Sequence, residues 1–246
     1  MGRVEELISS LSRYAHLLGF PVDLEWVRFI EEIQEKIMEE VRGEVLSYGS
    51  LRDLVLALDA RGYLRRASLE VAGLIGEEIE DYDKAFKAAL TGDLSVRGSR
   101  AVLITLQAIA RAYAEELLKK GVTVEVSAYC PVCGALSETM FKEGGSYYMV
   151  CHFCSYKWLV SEAKPVCPYC GNSDELSIGL MSDKQMRVAL IKCWECGSSW
   201  RAILDETIKV PLILKPLIAM AAERFRQALR EVEERARESG SEVGGA

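Results

Sequence analysis

The cysteines of this chain are its most distinctive chemical feature, because all eight fall into four C-x-x-C pairs between residues 130 and 196. A C-x-x-C turn can direct two sulfurs at one metal ion, and a tetrahedral divalent ion takes four thiolates. The four pairs therefore supply enough ligands for two ions. The candidate metal ligands are Cys130 with Cys133, Cys151 with Cys154, Cys167 with Cys170, and Cys193 with Cys196.

The order of these pairs is repeated. Each unit opens with C-P-x-C-G, runs through a hairpin-length segment and closes with C-x-x-C, and Trp158 or Trp200 follows four residues after its last cysteine. Because self-similar units usually fold as separate modules, the repeat favours one ion per unit over an interleaved arrangement. The first ion then takes the cysteines at 130, 133, 151 and 154, and the second takes those at 167, 170, 193 and 196.

The ligand set restricts the identity of the ion. Four soft sulfurs favour zinc or iron but do not distinguish between these two metals. A zinc ion would have only a structural role, whereas an iron ion would be a one-electron redox centre. Modules of about 30 to 40 residues bury too little apolar surface to fold alone, so the ion would be part of the fold. Disulfides are the alternative, since the single Asn among 246 residues indicates a thermophilic source.

Residues for other chemistry are few. His152 lies inside a cysteine pair, but four sulfurs already complete a tetrahedral site and we expect this side chain to be exposed. Trp158 and Trp200 are expected to shield the sulfurs and to fill small cores. With two histidines and no Ser–His pairing, phosphate loop or dinucleotide fingerprint, the sequence predicts no catalytic residue and a non-enzymatic protein.

Charge and hydropathy narrow the possible partners. The 30 basic and 37 acidic residues give a net charge of −7, which repels phosphate backbones, so no nucleic-acid partner is expected. The first ten residues contain acids where a secretory signal needs an apolar stretch, and PLILKPLIAMAA at 211–222 is too short to span a bilayer. We therefore expect a cytoplasmic protein without a membrane partner. The sequence does not predict an oligomeric state.

The cysteines must be positioned by helices and strands, and the sequence patterns of these elements predict an α+β multidomain protein. It consists of a helical bundle at residues 1–121, two tandem rubredoxin-like or zinc-ribbon modules at 122–162 and 163–210, and a C-terminal helix with a disordered tail at 211–246. Apolar spacing and capping residues predict helices from Val4 to a stop at Gly19 and Pro21, from a cap at Asp23 to Val41, from a cap at Ser50 to Ala60, and over 66–80, 82–90 and 100–120.

Strand patterns begin after the bundle. Val122, Val124 and Val126 alternate with polar residues and predict a strand, as do TMFK, SYYMV and VALIK, with Gly144-Gly145 as a hairpin turn. After residue 208 the chain returns to helix, with one apolar face. That predicted face consists of Leu217, Ala221, Phe225, Ala228 and Val232, and the last residues, SGSEVGGA, are expected to be disordered.

One family shares these motifs. The stretch CPVCG…YYMVCHFCSYKWLV…CPYCG…CWECGSSWRAIL, followed by a C-terminal helix, resembles the FdhE family, accessory proteins required for making active formate dehydrogenase. A weaker likeness lies in FP at 20–21 followed by EWVRF at 25–29. The resemblance implies two rubredoxin-like modules that bind iron through the eight cysteines. It also implies a cytoplasmic interaction with the catalytic subunit of a molybdenum or tungsten formate dehydrogenase.

Three functions are compatible with these features. The resemblance and the duplicated cage favour an accessory or maturation factor for formate dehydrogenase or a related oxidoreductase. Rubredoxin-type electron transfer or redox sensing is the first alternative and requires iron. A zinc-ribbon protein associated with nucleic acid is the second, and it is disfavoured because residues 122–204 carry seven Lys and Arg against eight Asp and Glu.

Overall fold

Eight α-helices and six β-strands make up the fold of the computed structural model, which describes residues 2–18 and 20–241. The helices are α1 (Arg3–Leu18), α2 (Leu24–Val41), α3 (Leu51–Ala60), α4 (Tyr63–Ile75), α5 (Tyr82–Thr91), α6 (Ser99–Leu118), α7 (Lys215–Ala219) and α8 (Arg226–Ser241). The strands are β1 (Thr139–Glu143), β2 (Ser146–Val150), β3 (Lys157–Ser161), β4 (Ile178–Ser182), β5 (Val188–Cys193) and β6 (Ser199–Ile203). The predicted α+β class, with helices before and after tandem modules, is confirmed.

Capping residues fix the helix starts where the sequence predicted them. The Asp23 carboxylate accepts a hydrogen bond from the Trp26 N–H at 2.9 Å, and the Ser50 hydroxyl accepts one from the Asp53 N–H at 3.1 Å. Each cap satisfies an N–H group that has no partner inside the helix. The predicted stop at Gly19 lies outside the described residues, and α1 ends at Leu18.

Helix α4 differs from its predicted range of 66–80. It begins at Tyr63 and ends at Ile75, because Gly76 adopts a left-handed conformation with φ of 71°. The N–H groups of Gly76 and Glu77 both return to the carbonyl oxygen of Ala72. This termination motif satisfies the last carbonyls, so the helix stops five residues before the predicted end.

A long central helix organises the bundle. Helices α2, α4 and α5 all pack against α6, and twelve residues of α6 are buried. Arg111 of α6 is buried as well, and it forms a bidentate ion pair with Glu31 of α2 at 2.8 and 2.9 Å. The guanidinium also donates to Gln34 of α2. A charged network therefore joins these two helices inside the core.

The two modules share one sheet of strand order β3-β2-β1-β6-β5-β4. Each module contributes an antiparallel meander of three strands, and the parallel pair β1–β6 joins them. The predicted hairpin turn at Gly144-Gly145 is confirmed, with φ of 60° and 82°. Their N–H groups donate to the carboxylate of Glu206, which follows β6, at 2.8 and 3.2 Å.

The strand predicted from the alternating valines is wrong. Residues 122–127 form a single parallel bridge at Val124 opposite Leu159, with hydrogen bonds from Glu125 N to Leu159 O and from Leu159 N to Thr123 O, both 2.9 Å. The segment lies outside the β3 edge, and Val124 is 75% exposed. Because its apolar face is not buried, packing does not extend the bridge into a strand.

Both faces of the sheet carry apolar side chains, which alternate along each strand. On one face Met140, Met149, Trp158, Trp200 and Ala202 share a buried cluster with the cage cysteines, and this cluster continues into the helices of the bundle. The opposite face forms a second cluster with helix α1 and the segment after β6. That cluster includes Phe141, Val150, Val188 and Ile203 of the sheet with Leu7, Leu11, Leu17, Leu18, Leu214 and Ile218.

The C-terminal segment is broken where one helix was predicted. A 3₁₀ helix at Met220–Phe225 separates α7 from α8. Since a 3₁₀ helix turns about 20° more per residue than an α-helix, the buried face moves around the axis. Leu229 is buried in α8, whereas Ala228 and Val232 of the predicted face are exposed. Residues 239–241 of the predicted tail belong to α8, and 242–246 lie outside the described residues.

The predicted domain boundaries at residues 121, 162 and 210 stay a prediction. Two contacts bear on them: helix α1 packs with the C-terminal part of the chain, and β1–β6 unites the modules. Across the described ranges, no helix combines the length and the apolar character needed to cross a membrane.

Candidate metal centres

The eight cysteines converge in two groups of four, each from one module. The sulfurs of Cys130, Cys133, Cys151 and Cys154 lie within 4.8 Å of one another, and so do those of Cys167, Cys170, Cys193 and Cys196. The grouping is the sequential one and not the interleaved one. Two metal ions could be held in these groups.

The distances between sulfurs fit a tetrahedral cage. Cys130 lies 3.5 Å from Cys154, and Cys133 lies 3.5 Å from Cys151. In the second group the distances are 3.6 Å between Cys167 and Cys196 and 3.8 Å between Cys170 and Cys193. Metal–sulfur bonds of about 2.3 Å place tetrahedral sulfurs about 3.8 Å apart, whereas a disulfide needs about 2.05 Å. Every cysteine is free of a disulfide.

All four C-x-x-C pairs adopt the same backbone turn. The carbonyl of the first cysteine accepts the N–H four residues later, and its own N–H donates to the carbonyl five residues later. In the first pair, Gly134 N donates to Cys130 O and Cys130 N donates to Ala135 O, both at 2.9 Å. This double closure holds two sulfurs on the same side of a tight loop.

The fourth residue after each first cysteine must adopt positive φ. Gly134, Gly171 and Gly197 do so at 74°, 76° and 76°, a conformation that glycine reaches without strain. Ser155 takes the same position in the remaining turn with φ of 60°. Its hydroxyl is buried and has no hydrogen-bond partner within the described structure.

Trp158 and Trp200 take equivalent positions in strands β3 and β6, and both belong to the buried cluster that contains the cage cysteines. Both are almost fully buried. The Trp158 indole N–H donates to the carbonyl of Ser127 at 3.0 Å, and the Trp200 ring lies 6.4 Å from the ring of Tyr169. The indoles therefore contribute the apolar packing that each small module otherwise lacks.

The first cage is enclosed. Cys130, Cys151 and Cys154 are buried, and Cys133 is half-buried. Leu118 of α6, Leu7 of α1 and Leu212 line a cavity of about 260 Å³ that reaches Cys154 and Ser155. Backbone N–H of Phe153 donates to the Cys151 sulfur at 3.3 Å.

The second cage faces solvent. Cys167 and Cys193 are buried, but Cys170 and Cys196 are exposed. The Asn172 side-chain amide donates to the Cys193 sulfur at 3.8 Å, and both the hydroxyl and the N–H of Ser198 hydrogen-bond to Cys196. The two cages thus share ligands and turns but differ in their surroundings.

The thiols of the first cage shift one another's pKa. Hydrogen bonds from Cys133, Cys151 and Cys154 lower the pKa of Cys130, and the proton sharing with Cys130 raises the pKa of Cys151 and Cys154. At Cys196 desolvation raises the pKa, but hydrogen bonds from Ser198 and the neighbouring thiols outweigh it and lower the pKa to about 6. A bound cation removes this competition, because metal ligands must be deprotonated.

The remaining sequence-predicted residues play no part in the cages. His152 is exposed, as expected. Sequence reasoning missed Ser155, Asn172 and Ser198, which shape the turns or donate to sulfur. The signal for Ser155 was present, because it follows its cysteine pair where glycine follows the other three.

A search of solved structures finds the crystal structure of the FdhE protein from Pseudomonas aeruginosa. The match has a TM-score of 0.57 and 16% identity, and it covers 94% of this chain and 93% of that chain. The chain has an FdhE-like fold. No protein-family model matches the sequence, and no curated protein matches it. The FdhE-like fold therefore rests on three-dimensional similarity over nearly the whole length of both chains.

Proposed function

We propose that this protein is a non-enzymatic accessory factor in the maturation of formate dehydrogenase or of a related molybdenum or tungsten oxidoreductase. It acts in the cytoplasm and binds the catalytic subunit of its client. The observation that carries this proposal is the presence of two four-cysteine groups on an FdhE-like fold.

In this proposal each cysteine group holds one ion. The first ion is held by Cys130, Cys133, Cys151 and Cys154, and the second by Cys167, Cys170, Cys193 and Cys196. A bound zinc ion supplies a structural cross-link, and a bound iron ion supplies a one-electron centre. The chain itself supplies the four turns that orient the thiolates and the two tryptophans that exclude water beneath them.

Co-purification tests the proposal. The full-length protein, tagged and isolated without oxygen from its own organism, is expected to contain two ions per chain and to retain the catalytic subunit of a formate dehydrogenase or related enzyme. A Cys151→Ser/Cys154→Ser variant is expected to lose one ion and most of this binding. A metal-free native protein, or one that binds no molybdenum or tungsten enzyme from that cell, would contradict it.

Electron transfer is the second candidate function, because Cys170 and Cys196 bring the second cage to the surface. Iron at such a position would lie close to a docked redox partner. This alternative requires iron in the native protein and a reversible change in its visible absorption on reduction. Native protein that holds only zinc would exclude it.

A further inference from the structure

The two cages have the same type and number of ligands, four cysteine sulfurs each, but they lie in different environments. In the first cage no cysteine is exposed, and in the second the last cysteine of each pair, Cys170 and Cys196, is exposed. Solvent therefore reaches two of the four cysteines of the second cage, whereas Cys167 and Cys193 are buried.

Different parts of the molecule must move before a ligand from solution can reach each ion. Around the first cage, helices α1 and α6 and residues 211–213 line the cavity behind Cys154, and Cys154 itself is 0% exposed. Access past Cys154 therefore requires the separation of packed elements, and Cys133 of this cage is half-buried, so none of its four cysteines is exposed. At the second cage, rotation of one exposed cysteine side chain opens a coordination position, which is a much smaller event.

We propose that the second cage is an exchangeable metal site, whereas the first cage releases its ion only slowly. In such an exchange a soft ligand from solution, such as a thiolate, would take the coordination position of the Cys196 sulfur first and that of the Cys170 sulfur second. Each step replaces one metal–sulfur bond with another, so no electron is transferred. The proposal rests on the proposed function only in requiring that both cages hold ions.

Release kinetics on the full-length protein test this inference. The protein is loaded with zinc, its metal content is measured, and a chromogenic zinc chelator is then added in excess. We expect two phases of equal amplitude, with one ion leaving at least about tenfold faster than the other, because only the first cage needs a sub-global opening. Two bound ions that leave in a single phase, or a protein that binds no zinc, would overturn the inference without affecting the proposed function. A protein that binds neither zinc nor iron would contradict both.

Pulsed alkylation identifies which cage is fast. During the fast phase N-ethylmaleimide is expected to label Cys170 and Cys196, while Cys130 and Cys154 stay unlabelled until the slow phase. Peptide mass spectrometry reads the labelled positions. Earlier labelling of the first cage would overturn the assignment.

A pair of variants provides a matched control. Asn172→Asp removes the amide that donates to the Cys193 sulfur but keeps the oxygen that accepts the Asp174 N–H, so only the fast phase should accelerate. His152→Ala changes an exposed residue of the first cage and should alter neither phase. Acceleration of the slow phase by Asn172→Asp would contradict the proposal.

Discussion

Ser155 shows how a single backbone angle limits the stability of a cage. Three of the four cysteine turns use glycine at the left-handed position, and the fourth uses Ser155 with φ of 60°. A side chain in this region crowds its own carbonyl, and the buried Ser155 hydroxyl gains no compensating hydrogen bond within the described residues.

Ser155→Gly is therefore expected to stabilise the metal-loaded protein. Relief of the left-handed strain should raise the free energy of unfolding by about 1 kcal/mol. Denaturant unfolding at fixed metal concentration measures it. Gly134→Ser is the matched control: an added Cβ would meet no atom within 4 Å, so strain alone should lower stability by a similar amount. Equal stability of wild type and Ser155→Gly would refute the strain.

Lys215 is a buried cation outside the cages. It is 8% exposed, its ammonium nitrogen lies 3.9 Å from the centre of the Phe141 ring, and no ion pair holds it within the described residues. Burial lowers the pKa of Lys215 from 10.5 to about 8, although Glu143 acts in the opposite direction. The native state therefore releases this proton more readily than the unfolded chain does.

This difference predicts the pH dependence of stability. Between about pH 8 and 10.5 the unfolded state keeps a proton that the native state has lost, so the contribution of Lys215 to stability should improve as pH rises. Lys215→Met should raise the free energy of unfolding at pH 7 by about 2 kcal/mol and flatten the profile above pH 8. Unfolding curves of both proteins across this range provide the measurement. Parallel profiles for the two proteins would show that Lys215 does not titrate in this way.

The grouping of the cysteines was easier to predict from the sequence than the burial of Lys215. C-x-x-C spacing reflects a local turn, so type and position are enough to identify Cys130 or Cys167. Lys215 gave no such signal, because its burial results from α7 packing over Phe141, 74 positions earlier in the chain. Contacts of this kind depend on tertiary structure that no local pattern records.

At the level of elements, the Arg111–Glu31 pair joins α2 to α6. Arg111 is 1% exposed and Glu31 6%, so each charge depends on the other for compensation. Arg111→Met should destabilise the protein by about 3 to 5 kcal/mol, because it leaves a buried carboxylate without its partner. Thermal or denaturant unfolding followed by circular dichroism measures this loss.

The double variant Glu31→Met/Arg111→Met tests whether the unpaired buried charge causes the loss of stability in the single variant. With both charges removed, stability should return to within about 1 to 2 kcal/mol of wild type, since apolar replacements of buried ion pairs are often neutral or stabilising. A double variant as unstable as the single one would mean that packing, and not the unpaired charge, causes the loss.

Helices and strands were predictable to different degrees. Local caps such as Asp23 and Ser50 mark helix starts, and the helices begin there. The strand pairing β1–β6 has no local signature, since it joins strands about 60 residues apart in the sequence. Valines alternate with polar residues over 122–127 as they would in a strand. These valines are exposed because the segment lies outside the edge strand β3.

For the whole molecule, the placement of α1 links the two ends of the chain. Its buried leucines pack against the sheet face that the C-terminal segment also covers. In a fragment of residues 1–121, α1 should therefore exchange its amide hydrogens rapidly while α2–α6 stay protected, because each lost leucine contact removes about 2 kcal/mol. Hydrogen-exchange mass spectrometry of the fragment and the full chain provides the comparison. Equal protection of α1 in both would show that α2 alone holds it.

The junction between the modules also determines which strands lie at the edges of the sheet. The first strand of one repeat, β1, pairs with the last strand of the other, β6, which leaves the last strand β3 and the first strand β4 at the outer edges. If β3 of one copy paired with β4 of the next, as β6 pairs with β1 inside the chain, the arrangement would not close. Repeated pairing of this kind would form a filament. Residues 123–125 already occupy part of the β3 edge, because Glu125 N donates to Leu159 O and Leu159 N donates to Thr123 O. The short linker from the bundle thereby covers part of an edge to which another strand could otherwise add.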